Sequence, residues 1–146
     1  MSKIDFDSPA AHSHLTILQE VINRMGTSSS GSKTWCVALV SAILVVLADK
    51  GTPELVWIAV VPVGLFFLLD AYYLGLERRF RNLYNIFIKK LHNDSAVVED
   101  AFIASPPGGT RATISATIRA MSSFSVWPFY AVQALVLLAV RLLLAP

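Results

Sequence analysis

The sequence predicts an all-α, polytopic membrane fold, and three observations carry that reading. Two apolar runs, residues 35–48 and 55–69, flank a six-residue turn and contain no charged residue. The second run resumes after one acid, Asp70, and continues to Leu76, where Arg78, Arg79 and Arg81 follow directly. Apolar residues make up 55% of the 146, with a positive mean hydropathy, which is too greasy for an ordinary soluble domain of this size. Crossing about 30 Å of hydrocarbon takes roughly 20 helical residues. The second run meets that length and the first falls a little short. A soluble bundle with apolar core helices is the alternative, but it needs a polar face that neither run has in any helical register. The expected layout is residues 1–33 as a cytoplasmic amphipathic helix and hinge, 34–76 as a transmembrane hairpin, 77–123 as a cytoplasmic basic helix and loop, and 124–146 as a third transmembrane helix.

Ser8 followed by Pro9 reads as a helix cap with proline at the first helical position, and Gly26 as the stop. Between them Leu15, Leu18, Ile22 and Met25 recur at spacings of three, four and three. This amphipathic helix is expected to lie on the inner membrane surface or to pack on a neighbouring subunit. Residues 27–32, rich in serine, predict a flexible hinge into the first span. The start of the chain is acidic and has neither an early apolar core nor Met-Gly. No cleavable signal and no myristoylation are therefore expected, and the first span acts as its own insertion signal. The lone Cys36, inside that span, excludes an intrachain disulfide.

Asp49, Lys50 and Gly51 predict the outer turn, and Thr52-Pro53 starts the second span. Beyond the arginines Leu76, Phe80, Leu83, Phe87 and Leu91 keep helical spacing, so one helix is expected from Pro53 to about Leu91. Its end, residues 77–92, holds five Lys/Arg against one acid, a net of +4. Arg78, Arg79 and Arg81 suit the membrane surface, with Tyr72 and Tyr73 as an interfacial aromatic pair; Lys89 and Lys90, farther out, suit anionic lipid, a nucleotide, an acidic partner or plain solvent. The polar stretch 93–123 contains a breaker cluster at 105–111 and then a helical spacing of Ile114, Ile118 and Met121. There Gly108, Gly109 and Arg111 form either a simple loop or a phosphate cradle opening a helix. The spacing of a P-loop is missing.

Ten of the twelve Lys/Arg fall on one side if the N-terminus is cytoplasmic and the third run, 126–140, spans. Only Lys50 and Arg141 lie outside, as the positive-inside rule requires. The expected location is the inner (plasma) membrane, N-terminus in. If the last run does not span, the C-terminus stays inside while the hairpin keeps its orientation.

Residues costly to a bilayer mark function by default. These are Asp70, Gln133 and Arg141, with Pro62 and Gly64 as flex points. Asp70 and Arg141 sit near opposite faces if all runs span, since Arg141 is about 21 Å beyond Trp127 at 1.5 Å per residue. Asp70 is therefore expected to pair with Arg78, Lys33 or a neighbouring subunit, or to line an aqueous vestibule; Asp70, Gln133, Pro62 and Gly64 are the pore or gating candidates. His12 and His14 are two apart and make a poor metal pair, and His92 is isolated. No nucleophile, acid–base or metal constellation is suggested, so neither an enzyme nor a cofactor is expected, and no nucleic-acid binding either. Three helices lack hydrophobic drive for association in lipid, so packing between copies is expected, with Leu15, Leu18, Ile22 and Met25 as its contacts.

The stretches 18–25, 33–36 and 69–84, together with the layout of a short helix, a hairpin and a cytoplasmic helix over residues 15–91, resemble the SLATT-type membrane effectors found with prokaryotic antiviral systems. A third span departs from their two-span pattern. The resemblance implies an oligomeric effector that depolarises the infected cell when triggered by a cytosolic nucleotide signal or partner protein. The competing expectation is a non-conducting anchor or adaptor that holds a cytosolic partner through residues 1–26 and 77–123.

Overall fold

Among the described residues the chain forms four helices: α1 Pro9–Lys50, α2 Val56–His92, α3 Gly109–Met121 and α4 Trp127–Leu144, with a short 3-10 turn at Val98–Phe102 between α2 and α3. The computed structural model describes residues 3–50 and 56–144. Of the expected outer turn, Asp49 and Lys50 belong to α1, while Gly51 and the expected helix start at Thr52-Pro53 lie outside the described residues. Ser8 caps α1 as its sequence predicts: its Oγ accepts the Ala11 N–H at 3.2 Å, and Pro9 opens the helix.

α1 departs from expectation at its middle. The helix does not stop at Gly26, and residues 27–32 are no hinge; 42 residues form one rod, so the expected boundary at residue 33 falls within a helix. The reason lies in its buried stripe, Leu18, Ile22, Ser29, Ser32, Cys36 and Val40, which keeps spacings of three, four or seven throughout. Serine here is a small core residue. Ser32 turns its hydroxyl back onto the Ser28 carbonyl at 2.9 Å, and Ser29 bonds across to α2. Both hydroxyls are thereby satisfied without leaving the helix, and small side chains let the two backbones approach.

α2 runs well past the arginines, as predicted, for 37 residues, with Pro62 inside it. It is the central element, and α1, α3 and α4 each pack on it. Its C-terminal half covers the N-terminal stripe: Leu18 and Ile22 are buried, Leu15 joins Ala11, Phe87 and Leu91 in one cluster, and Gln19 donates to the Tyr84 hydroxyl at 3.2 Å. The stripe therefore has its partner within one chain, which corrects the expectation that a second copy supplies it. Met25 is half-buried beside it.

α3 returns antiparallel to the C-terminal half of α2. A methyl group on Gly75 would stand 3.0 Å from the Ala116 carbonyl carbon and the Thr117 amide, so only glycine lets α3 come this close. Ala120 is buried on this side, whereas Ile114 and Ile118 face outward. α4 then lies along the hairpin. The Tyr130 hydroxyl donates to the Phe66 carbonyl at 3.0 Å, Leu137 is buried in a cluster with Val56 and Val63, and Arg141 lines a groove with Val56 and Trp57. α4 thus climbs from the level of Phe66 to the start of α2, about 27 Å for 18 residues. Arg141 ends up remote from Asp70.

α1 and α2 are long and apolar enough to cross a membrane; the apolar part of α4, Trp127–Leu143, is shorter. Trp35, Val45, Trp57, Val61, Leu135 and Leu142 are exposed, so a belt of apolar side chains on all three helices faces outward.

Candidate functional site

Asp70 occupies a core position of α2 and is fully buried. Its spacing from Val56, Ala59 and Val63 puts it on the same buried stripe, so the helix aims the carboxylate at the serine stretch of α1. Ser29 Oγ donates to Oδ1 in a short hydrogen bond, and Lys33 Nζ stands 2.6 Å from Oδ2. The lysine approach is close but out of line for a hydrogen bond, so Oδ2 has a Coulombic partner and no donor among the described residues. Lys33 is itself only 23% exposed. A buried carboxylate with one hydroxyl and one ammonium is held charged by few groups, and removing either leaves a costly residue behind.

Of the predicted partners, Lys33 is therefore the one that meets Asp70; Arg78 turns elsewhere. Asp70 has no outward surface, so in this conformation it lines no lumen shared between copies. Ser29 was missed because the run 27–32 reads as linker. Its signal was present in the three-four spacing that continues through positions 29, 32 and 36. The other gating candidates are scattered. Pro62 is half-buried in an unbroken helix, Gly64 faces outward with nothing within 4 Å of a Cβ there, and Gln133 is half-buried one turn beyond Tyr130.

The basic positions divide by what they touch. Arg79 clamps the loop before α3, donating to the carbonyls of Pro106 at 3.3 Å, Pro107 at 2.8 Å and Gly109 at 3.4 Å, and to Thr113 Oγ1. The breaker cluster thus turns carbonyls, not amides, toward a resident cation. Gly108 and Gly109, at φ of 96° and 55°, make the turn that allows this. This favours the loop reading of Gly108 and Gly109 over a phosphate cradle. Arg78 donates to Ser123 Oγ at 2.7 Å, tying down the α3–α4 junction. Arg81 pairs with Glu77 one turn back at 2.8 Å, and Lys90 with Asp100 at 2.6 Å. Lys89 and Arg111 are exposed.

At the end of the hairpin near Leu91, His14 is buried edge-on against Phe87, ring centroids 4.6 Å apart, and its Nε2 has no partner among the described residues. Burial lowers its pKa, while the Ala101 backbone and the Asp100 carboxylate pull it back up. Asp100 is held below its ordinary range mainly by the Lys90 hydrogen bond, against some desolvation. Among the described residues no three His, Cys, Asp or Glu side chains come together as a metal site. No protein-family description, curated protein or solved structure matches this chain.

Proposed function

We propose that this chain is a small integral membrane protein of the inner membrane, N-terminus cytoplasmic, whose copies assemble and open a conducting path. The observation that carries the proposal is the buried pairing of Asp70 with Ser29 and Lys33 at the inner edge of the apolar belt. A membrane anchor gains nothing from an enclosed ion pair that apolar packing would replace at equal or better stability. A gate does gain. Once α1 separates from α2 at Ser29, Asp70 is stable only where water reaches it, so opening and wetting become one event, and a ring of hydrated carboxylates favours cations. The present arrangement is then the closed state. On the resemblance to antiviral effectors, the trigger is a cytosolic nucleotide signal or partner protein, and the outcome is depolarisation in an abortive response to infection.

The second reading, a non-conducting anchor, has one observation in its favour: Asp70 is enclosed by its own chain and no polar face continues through the belt. Planar bilayers containing purified, assembled protein separate the two. A channel gives conductance whose reversal potential in a salt gradient indicates cation preference, and Asp70→Asn weakens that preference or opens the path without a trigger. Silence from well-assembled protein, with and without infected-cell extract as trigger, leaves the anchor.

A further inference from the structure

Three guanidinium groups, Arg78 and Arg79 from α2 and Arg119 from α3, line one groove of about 320 Å³ together with Asn82 and Ala116. Arg119 attracted no attention in the sequence because it stands forty residues from the arginine run; the fold brings it there through the Gly75–Ala116 contact. Among the described residues no carboxylate pairs with any of the three, whereas Lys33, Arg81 and Lys90 each have one. Three like charges in one groove repel one another, and an anion relieves that repulsion. Arg79 spends most of its donors on the loop and contributes mainly charge. Arg78 gives one bond to Ser123, and Arg119 gives its Nε to the Ser115 carbonyl at 3.4 Å. Both therefore keep N–H groups that can converge on a second acceptor.

Depth identifies the anion. Arg78 is about 9 Å beyond the exposed Tyr72 along α2, so its side chain reaches the headgroup level by snorkelling back toward the apolar belt if that belt is in hydrocarbon. The outward face of α3 agrees, carrying exposed Ile114 and Ile118 beside Arg119, with Phe124 exposed shortly after. An apolar and basic surface at that level suits acyl chains and phosphate together.

We propose that the Arg78–Arg79–Arg119 groove binds the phosphate of an anionic phospholipid in the inner leaflet, fastening α3 to α2 through lipid. The proposal rests on the membrane reading above. The test uses full-length protein, purified in detergent, exchanged with phosphatidylglycerol or phosphatidylcholine and examined by native mass spectrometry. Wild type is expected to retain phosphatidylglycerol over phosphatidylcholine. Arg119→Gln and Arg78→Gln should each reduce retention about fivefold, the scale expected for one basic residue at an anionic leaflet. Arg111→Gln, on the same helix but outside the groove, should not. Arg79 is left intact because it also clamps the loop. Unchanged helicity by circular dichroism verifies that the variants fold. Equal retention of the two lipids, or equal loss in Arg111→Gln, overturns the site. Inorganic phosphate or a nucleotide that binds in lipid-free micelles with the same arginine dependence, without phosphatidylglycerol retention, overturns the lipid assignment in favour of a cytosolic ligand. Recovery of the protein in the soluble fraction of cells would instead refute the membrane reading itself.

Discussion

At the level of single residues, the pairing of Asp70 and Lys33 is asymmetric. Lys33→Met leaves a fully buried carboxylate with one hydroxyl, a loss of the kind that costs about 3–5 kcal/mol. Asp70→Asn leaves a lysine with partial access to solvent, which snorkels outward at smaller cost. Thermal unfolding in detergent should rank the two in that order, and Lys33→Met combined with Asp70→Leu should recover most of the loss. Comparable melting of both single variants would mean that the ion pair contributes little. His14 adds a pH dependence where α1 packs on Phe87. Its folded pKa lies below the ordinary value of about 6.5, so the unfolded chain takes up the proton first. Stability from this site is complete above about 6.5 and falls as pH drops through and below that value. Asp100 acts in a separate, lower window: its depressed pKa gives stability above the ordinary carboxylate range that is lost on further acidification. The opening free energy of the Phe87–Leu91 amides, taken from hydrogen exchange after correction for the intrinsic pH dependence of the rate, should fall between pH 7 and 5.5 in wild type and stay flat in His14→Phe. Asp70 was legible in the sequence because an acid inside an apolar run breaks the pattern. Its partner Ser29 was not, because serine marks linkers and small core positions alike, and composition cannot separate them.

At the level of elements, continuity of α1 through the serine stretch makes a sharp expectation. Ser30 is exposed on the surface of α1. In a linker, proline would be harmless there; in the middle of a rod, it removes a hydrogen bond and clashes with the preceding turn, at about 3 kcal/mol or more. Ser30→Pro should therefore lower the melting temperature and detach the Ser29–Asp70 contact, and unchanged helicity and stability would restore the hinge. Leu18→Glu tests the neighbouring region. It should loosen the pairing of the N-terminal half of α1 with α2 within each chain and leave the mass of any oligomer unaltered, since Leu18 is buried within its own chain. Gly75→Leu should be worse for α3 than either, because its side chain would meet the backbone of Ala116 and Thr117, which cannot give way. The long α2 was readable from apolar spacing that outlasts the membrane run. The face by which α3 packs was not, since the conspicuous isoleucines point outward and a close approach of backbones prefers the inconspicuous alanines and threonines.

At the scale of the whole molecule, the proposed membrane reading makes a prediction about orientation: with the belt of exposed apolar side chains in a bilayer, the cation distribution puts the N-terminus inside. In a Cys36→Ala background, a cysteine at Lys50 should react with an impermeant maleimide in intact cells, and one at Asn93 only after lysis. The reverse pattern would invert the topology. The fold also gives α1 a mechanical character. Ser29 lies twenty residues from Pro9 and twenty-one from Lys50, so the Asp70 contact grips one continuous helix almost at its midpoint, with arms of about 30 Å. A tilt of about 10° about that fulcrum swings each tip by roughly 5 Å, in opposite directions. Whatever pushes on the Pro9 arm therefore moves the Lys50 end by an equal stroke the other way, with no break in the helix between them to absorb it.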